Sequence, residues 1–400
     1  MKNHRLSRRS LLQGAAAAGA ALAYTNLSGG SLLSTAFGQV EPEKPCLLLI
    51  FLDGGYNSLF CSADSFVSAN TFGCTGSNTK DLGNGLVVDG ATFGTMPSQA
   101  LSHMSTIGVH HGITSHDGAQ NADMSDGTRS YGLQLAASMG GDASIKCAVV
   151  GDRMPAGPAP AESGVSRQQI LDMNSTIAAL GGAADPATPK REIAAAGMIT
   201  SQQMSNHRII QSPKSLRTVK DGFDTAIETL KQPVQTLDYN EMATAYGIAT
   251  TTTAVSNFRT QMVAAELMVR AGANVIFAVD GGWDTHGDSN GDNVRAQMNN
   301  RILPPLNTFL QRTLTMTNKN VVTAIIGDFA RSLPGSDHAT ALSATVIGKY
   351  VKVGTTGRVS ANVTLPSGSP GPQEFWAYLA DILKVSSQPF GSNPHSALVL

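Results

Sequence analysis

Two acid–histidine pairs stand just after apolar runs in this 400-residue chain. Asp284 and His286 lie in Gly281-Gly282-Trp283-Asp284-Thr285-His286-Gly287, and Asp337 and His338 lie in Gly335-Ser336-Asp337-His338-Ala339. Carboxylate with neutral imidazole suits a borderline metal such as zinc, manganese or iron. Residues two apart on an extended segment face the same side, so Asp284 and His286 can reach one ion together. Asp337 and His338 are adjacent and would face opposite ways on a strand. They can converge only from a turn, which Pro334-Gly335-Ser336 supplies.

Further candidates follow other apolar runs. Asp53 ends the first run, Thr114, Ser115, His116 and Asp117 follow the second, and Asp328 and Arg331 follow a later one. In open parallel sheets, ligands bind at the carboxyl ends of the strands. Two metal ions about 3.5–4 Å apart, an attacking hydroxyl and an arginine make a hydrolase for phosphate or sulfate esters. Ser115, ahead of Thr114, is the favoured nucleophile, because both stand where a helix starts and its dipole favours an anion. Arg331 would grip the non-bridging oxygens with its planar fork. His116 and Asp117 serve equally well as helix-capping residues.

The elements that must carry these residues alternate. Cys46 to Asp53 is a continuous apolar run ending in an acid and two glycines, as expected of a strand buried on both faces. Similar runs span Thr106 to Ile113, Ile145 to Gly151, Ala273 to Asp280 and Val321 to Gly327, with a weaker one at Ala344 to Val353. Phe258, Met262, Ala265 and Val269 mark one helical face, and Val294, Met298, Ile302, Leu306 and Phe309 mark another. Pro304-Pro305 should kink the second helix, and Glu374 to Lys384 reads as a last helix. The pattern predicts a three-layer α/β fold with a mostly parallel sheet and helices on both faces. Residues 61–95 read as an extended surface loop, and residues 152–240 as a helical insertion or cap without a strong strand.

The amino terminus reads Ser7-Arg8-Arg9-Ser10-Leu11-Leu12-Gln13 and runs on through Gly, Ala and Leu. A paired arginine before a short apolar stretch predicts a twin-arginine export signal over residues 1–38 and a single α/β domain over 39–400. The stretch is too short for a permanent transmembrane helix. The protein is therefore expected in the periplasm or outside the cell, with the twin-arginine machinery as a partner and no stable membrane insertion. Without its four leader cations the chain holds 24 basic and 29 acidic side chains, and no basic stripe suggests nucleic acid. Four cysteines, Cys46, Cys61, Cys74 and Cys147, show no Cys-x-x-Cys spacing. Cys61 and Cys74 flank a loop and could form a disulfide in an oxidising compartment.

Gly287-Asp288-Ser289-Asn290-Gly291 matches the nucleophile elbow of serine hydrolases, but polar residues separate Ser289 from the preceding strand. No phosphate-binding glycine loop of the nucleotide-binding type follows a strand.

Taken together, the twin-arginine start, Leu49 to Gly55, the Ser115-His116-Asp117 region, Gly281 to Gly287 and Gly327-Asp328-Phe329-Ala330-Arg331 leading to Asp337-His338 resemble a known family. It is the family of exported proteins catalogued as domain of unknown function 1501, relatives of the alkaline phosphatase and sulfatase superfamily. The resemblance implies an alkaline phosphatase-like fold and a bimetallic site. It implies Asp284 and His286 as ligands of one ion, and Asp337 and His338 at the same ion or its neighbour, with Asp53 and His116 as further candidates. Relatives often carry Glu at Asp328 and an acid at the place of Asn57, so Asp53 is either a substitute ligand or a strand-end cap. The superfamily's histidine near the carboxyl terminus has His395 as its counterpart here.

The expected protein is thus an exported hydrolase acting on small anionic esters with a divalent metal, zinc, manganese or calcium. Two alternatives stand beside it: a non-catalytic envelope or surface protein that keeps the fold and a structural ion, and a serine hydrolase using Ser289.

Overall fold

Strand β1 (Lys44–Asp53) divides its side chains between two cores. Cys46, Leu48, Ile50 and Leu52 enter one, and Leu47, Leu49 and Phe51 enter the other. A strand covered on both faces has no polar side, which is why its sequence is an unbroken apolar run. The computed structural model describes residues 43–56, 62, 67–68, 70, 72–141, 143–158, 160–181, 237–331, 337–357, 365 and 368–400. The predicted export signal, Asn57, Cys61, residues 182–236 of the predicted cap and the Pro334-Gly335-Ser336 turn lie outside the described residues. The chain divides into units Met1–Lys44 and Pro45–Leu400, and the fold is that of the second.

The other strands are β2 (Thr79–Gly83), β3 (Leu86–Asp89), β4 (Met104–His110), β5 (Cys147–Val150), β6 (Arg167–Ile170), β7 (Val275–Gly281), β8 (Lys319–Gly327), β9 (Ala341–Gly348) and β10 (Gly354–Thr355). The main sheet runs β10-β4-β9-β8-β1-β7-β5-β6. Pairs β1–β7, β7–β5, β5–β6 and β10–β4 are parallel, while β9 is antiparallel to both neighbours. The sheet is mostly parallel, as expected, and the exception has a physical reason. Residues 328–340 join β8 to β9 with no helix among those described, whereas parallel neighbours are usually joined through a crossover helix, so the chain returns antiparallel beside β8. The backbone bonds Ala330 N–H to Ala341 O and Ala339 N–H to Ala330 O extend that hairpin past the strand ends.

Helices α1 (Ser98–Leu101), α2 (His116–Met124), α3 (Tyr131–Met139), α4 (Met173–Gly181), α5 (Tyr239–Ala245), α6 (Phe258–Ala271), α7 (Asp292–Gln297), α8 (Leu303–Thr313) and α9 (Pro372–Ile382) cover the two faces. Side chains of α5, α6 and α8 fill one core, and those of α3 and α9 fill the other. Asn257 and Thr260 form a reciprocal capping box that starts α6, and Gly272 in the left-handed region ends it. The kink expected at Pro304-Pro305 takes the form of a π-helical turn, Met298–Ile302, between α7 and α8. Proline has no N–H to give the preceding turn, so the ladder widens there instead of breaking.

Three expectations need correction. Residues 61–95 are not simply an extended loop, since β2 and β3 pair as an antiparallel hairpin across Asn84-Gly85. Both turn residues have positive φ, 50° and 81°, the signature of the favoured two-residue hairpin turn. The region of residues 152–240 does contain a strand, the polar edge strand β6, which paired edges permit without an apolar pattern. Cys74 is a buried free thiol, pushed up to about 11 by burial before the opposing effect of Arg295. No helix of the described residues is long and apolar enough to cross a membrane.

Candidate metal centre

The loops after β1, β4, β7 and β8 meet at one rim of the sheet, with β1 between its neighbours β7 and β8. Close approach requires the two glycines after Asp53. Gly54 has φ +118° and Gly55 has φ +76°, and a Cβ on Gly54 would stand 2.3 Å from Asp284 N. The backbone after β1 therefore passes directly against the loop that carries Asp284.

Trp283 anchors that loop. It is fully buried, its backbone N–H donates to Asp53 O at 3.0 Å, and its indole N–H donates to Asp280 Oδ2 at 2.8 Å. Arg301 packs over its ring at 5.3 Å and donates to Asp280 Oδ2 at 2.5 Å. With Trp283 fixed, the next residues project Asp284 and His286 outward from the rim.

Three histidine rings gather there, each held through Nδ1. His338 Nδ1 lies 2.6 Å from Thr114 O, and because a carbonyl only accepts, that nitrogen carries the proton. Its Nε2 then bears the lone pair, and this buried atom has no hydrogen-bond partner. His116 Nδ1 lies 2.5 Å from Asp328 Oδ2, and His286 Nδ1 lies 2.5 Å from Asp284 Oδ1. The His338 ring centre is 4.5 Å from those of both His116 and His286, and 4.2 Å from that of Phe329, which packs against it. Metal-binding histidines are ordinarily oriented in this way, by an oxygen acceptor on the ring nitrogen facing away from the ion.

Among the described residues, two donor groups have ligand atoms within 4.8 Å of one another: His116, Asp284 and His338, and His286, Asp337 and His338. His116 Nε2 lies 3.8 Å from Asp284 Oδ2, and His286 Nε2 lies 3.4 Å from Asp337 Oδ1. Imidazole nitrogen with carboxylate oxygen is a donor set for zinc or manganese. The orphaned Nε2 of His338 shows that the residues fit a cation: a buried polar atom without a partner is costly, and an ion would satisfy it.

The acids differ in their surroundings. Burial pushes the Asp284 carboxyl up, but the Arg331 hydrogen bond and charge, with His286, outweigh it and hold the pKa below the usual range. Asp337 is also lowered, first by the backbone N–H of His338 at 2.8 Å. Asp328 goes the other way: its side chain is fully buried, and desolvation raises its pKa against the bonds from His116, Gly54 N–H and Gln120.

Of the residues singled out in the sequence, Asp284, His286, Asp337, His338 and His116 come together. Asp53 does not join either group. Its Oδ1 accepts from Gln120 Nε2 at 2.7 Å and its Oδ2 from Arg153 at 3.0 Å, which makes it a strand-end cap in this structure. Arg331 does not stand at the solvent-facing rim in this structure. It is fully buried, and its guanidinium donates to Gly55 O at 2.8 Å, to Gly54 O and to Asp284 Oδ1 at 2.7 Å, so it faces no solvent from which to grip a ligand. Ser115 is exposed at the N-cap of α2 and makes no capping bond through its hydroxyl, while Thr114 contributes its carbonyl to His338. His395 is remote from these residues, buried at the sheet edge against Thr356 and Tyr378.

Sequence reasoning missed Gln120, whose amide bridges Asp53 and both oxygens of Asp328 at 3.2 Å. The available signal was its position one helical turn after His116, on the same face. Ser289 sits exposed in a turn well beyond the end of β7, its N–H bonded to Gly287 O, so the serine-hydrolase motif is not an elbow here.

No protein-family model matches this chain, and no curated protein matches it. Among solved structures, a 2-O GAG sulfatase aligns over 89% of this chain and 74% of its own, at 11% identity and a TM-score of 0.34. A likeness that distant carries no argument, and the α/β architecture follows from the strand pairings themselves.

Proposed function

We propose that this protein is an exported, metal-dependent hydrolase of small anionic esters, phosphate or sulfate. One observation carries the reading: His338 presents a buried, unpartnered Nε2 among His116, Asp284, His286 and Asp337 at the carboxyl rim of the sheet. The substrate class comes from the motif resemblance, and export from the twin-arginine start. A divalent ion held there supplies Lewis-acid charge for the oxygens of an ester.

The chain's own residues do the rest. Thr114 O, Asp328 and Asp284 hold the proton of each imidazole on Nδ1, so each Nε2 is available as a ligand. Trp283 and Arg331 fix the loop bearing Asp284 and His286. Ser115 offers an exposed hydroxyl at the start of α2, where backbone N–H groups favour developing negative charge.

The test is turnover of aryl phosphates and aryl sulfates with zinc, manganese or calcium, alongside metal analysis of the mature protein. Metal-dependent turnover abolished by Asp284→Ala and by His338→Ala is the expected result. A protein that neither contains nor takes up metal sinks the proposal. The burial of Arg331 specifically favours a second reading, a non-catalytic envelope protein with a structural ion, because it removes the arginine expected to clamp substrate. Stability lost on chelation without any turnover would select that reading.

A further inference from the structure

We infer that the site takes one divalent ion per chain, seated on His338 Nε2, because the Arg331 guanidinium already occupies the place of a second cation. This rests on the metal-dependent reading above and fixes the number of ions, which that reading leaves open.

The two donor groups share one ligand. Both need His338, whose Nδ1 proton is committed to Thr114 O, which leaves Nε2 as its single lone pair. One lone pair holds one ion, so the groups are alternative sides of a single position. His116 and Asp284 flank it on one side, His286 and Asp337 on the other.

The position beside it is filled by a fixed positive charge. Arg331 binds the carbonyls of Gly54 and Gly55 and the carboxylate of Asp284, an all-oxygen set of the kind a hard divalent cation takes. Its Nη1 also lies 3.4 Å from both ring nitrogens of His286, so it meets that ring broadside and leaves the in-plane Nε2 lone pair free. A second ion would have to expel a buried, always charged side chain from those oxygens.

Asp53 and Asp328, the acids that end β1 and follow β8, already have partners. Gln120 Nε2 stands between Asp53 and Asp328, Arg153 holds the other oxygen of Asp53, and His116 and Gly54 N–H hold Asp328. An amide donor sits where a cation bridging these two carboxylates would be. The structure thus carries its second charge covalently, where no chelator can remove it.

The test counts ions. Mature protein is stripped with chelator, dialysed against zinc or manganese, and measured by plasma mass spectrometry and native mass spectrometry. One ion per chain is expected. Two ions in the wild-type chain overturn this inference and leave the metal-dependent reading intact, whereas no ion overturns both. His338→Ala is expected to weaken ion affinity about tenfold or more, and unchanged affinity overturns the seat on His338. Arg331→Met, checked for folding by circular dichroism, is expected to admit a second manganese. A folded Arg331→Met chain that stops at one ion overturns the assignment of the second place to the guanidinium.

Discussion

Replacing Gly54 by alanine tests the close approach on which the site depends. The added Cβ would lie 2.3 Å from Asp284 N, 2.8 Å from Trp283 C and 3.0 Å from Asp284 Cα, all backbone atoms that cannot rotate away. Ordinary contact begins near 3.4 Å, so one of the two loops must retreat by about 1 Å. The position also has φ +118°, and holding a non-glycine residue there costs about 1–3 kcal/mol. Relieving the clash by backbone movement costs about 1–3 kcal/mol more. For a domain of this size, a total near 4 kcal/mol lowers the melting temperature by roughly 5 °C. The larger effect is local. A shift of about 1 Å at Asp284 would stretch its 2.7 Å bond to Arg331 beyond hydrogen-bond range and misplace His286. Metal affinity, read by competition with a chromophoric chelator, should fall by about 10–100-fold. If Gly54→Ala binds zinc within threefold of wild type (roughly 0.7 kcal/mol) and melts at the same temperature, the loops do not meet as described and the reasoning fails.

Three other outcomes are expected. Trp283→Phe removes the indole N–H bond to Asp280 and part of a fully buried ring, so its urea unfolding should show a loss of about 1–2 kcal/mol; an unchanged midpoint would count against Trp283 as the anchor of the loop. Glu266 is buried, and although desolvation pushes its carboxyl up, Arg312 and Arg270 hold its pKa below the ordinary range. Its folded pKa being the lower one, the ionised network stabilises above the unfolded glutamate value of about 4.3 and is lost as pH falls. Stability plotted against pH should therefore fall more steeply on the acid side in wild type than in Glu266→Gln, and superimposable acid limbs would contradict this. Finally, free ion at about 100 times its wild-type dissociation constant adds about 2.7 kcal/mol to stability, which chelator should remove from wild type, whereas a His338→Ala chain binding tenfold or more weakly should lose about 1.4 kcal/mol or less; equal responses in the two chains would exclude His338 as a ligand.

Much of the fold was legible because buried parallel strands leave a plain mark. The runs at Cys46, Ala273 and Val321 are almost wholly apolar, interrupted inside only by Asn274 and Thr323, and each became a strand covered on both faces. β6 was not legible, since Arg-Gln-Gln-Ile carries no apolar period and pairs only as an edge beside β5. The direction of β9 was not legible either, since the link after Gly327 is long enough for a crossover and only the strand pairing shows that the chain turns back. The β2–β3 hairpin announced itself through Asn84-Gly85, but the surrounding Gly, Asn and Ser made the region look like a loop.

The site was legible in the kinds of atom it holds and illegible in how they are shared. Histidine and aspartate after Trp283 and in the β8–β9 link state which donors reach the rim, because strand ends of one sheet must come close together. Which cation each carboxylate serves depends on which neighbour stands nearest. Asp53 looks like a ligand until Gln120 and Arg153 reach it first. Arg331 looks like a substrate clamp until three oxygens from the β1 and β7 loops enclose it. A guanidinium and a divalent ion ask for the same oxygen atoms, so a sequence that supplies both acids and an arginine leaves the choice between them to folding. Here Gly54 makes that choice, because the approach it permits is what brings Asp284 within 2.7 Å of Arg331.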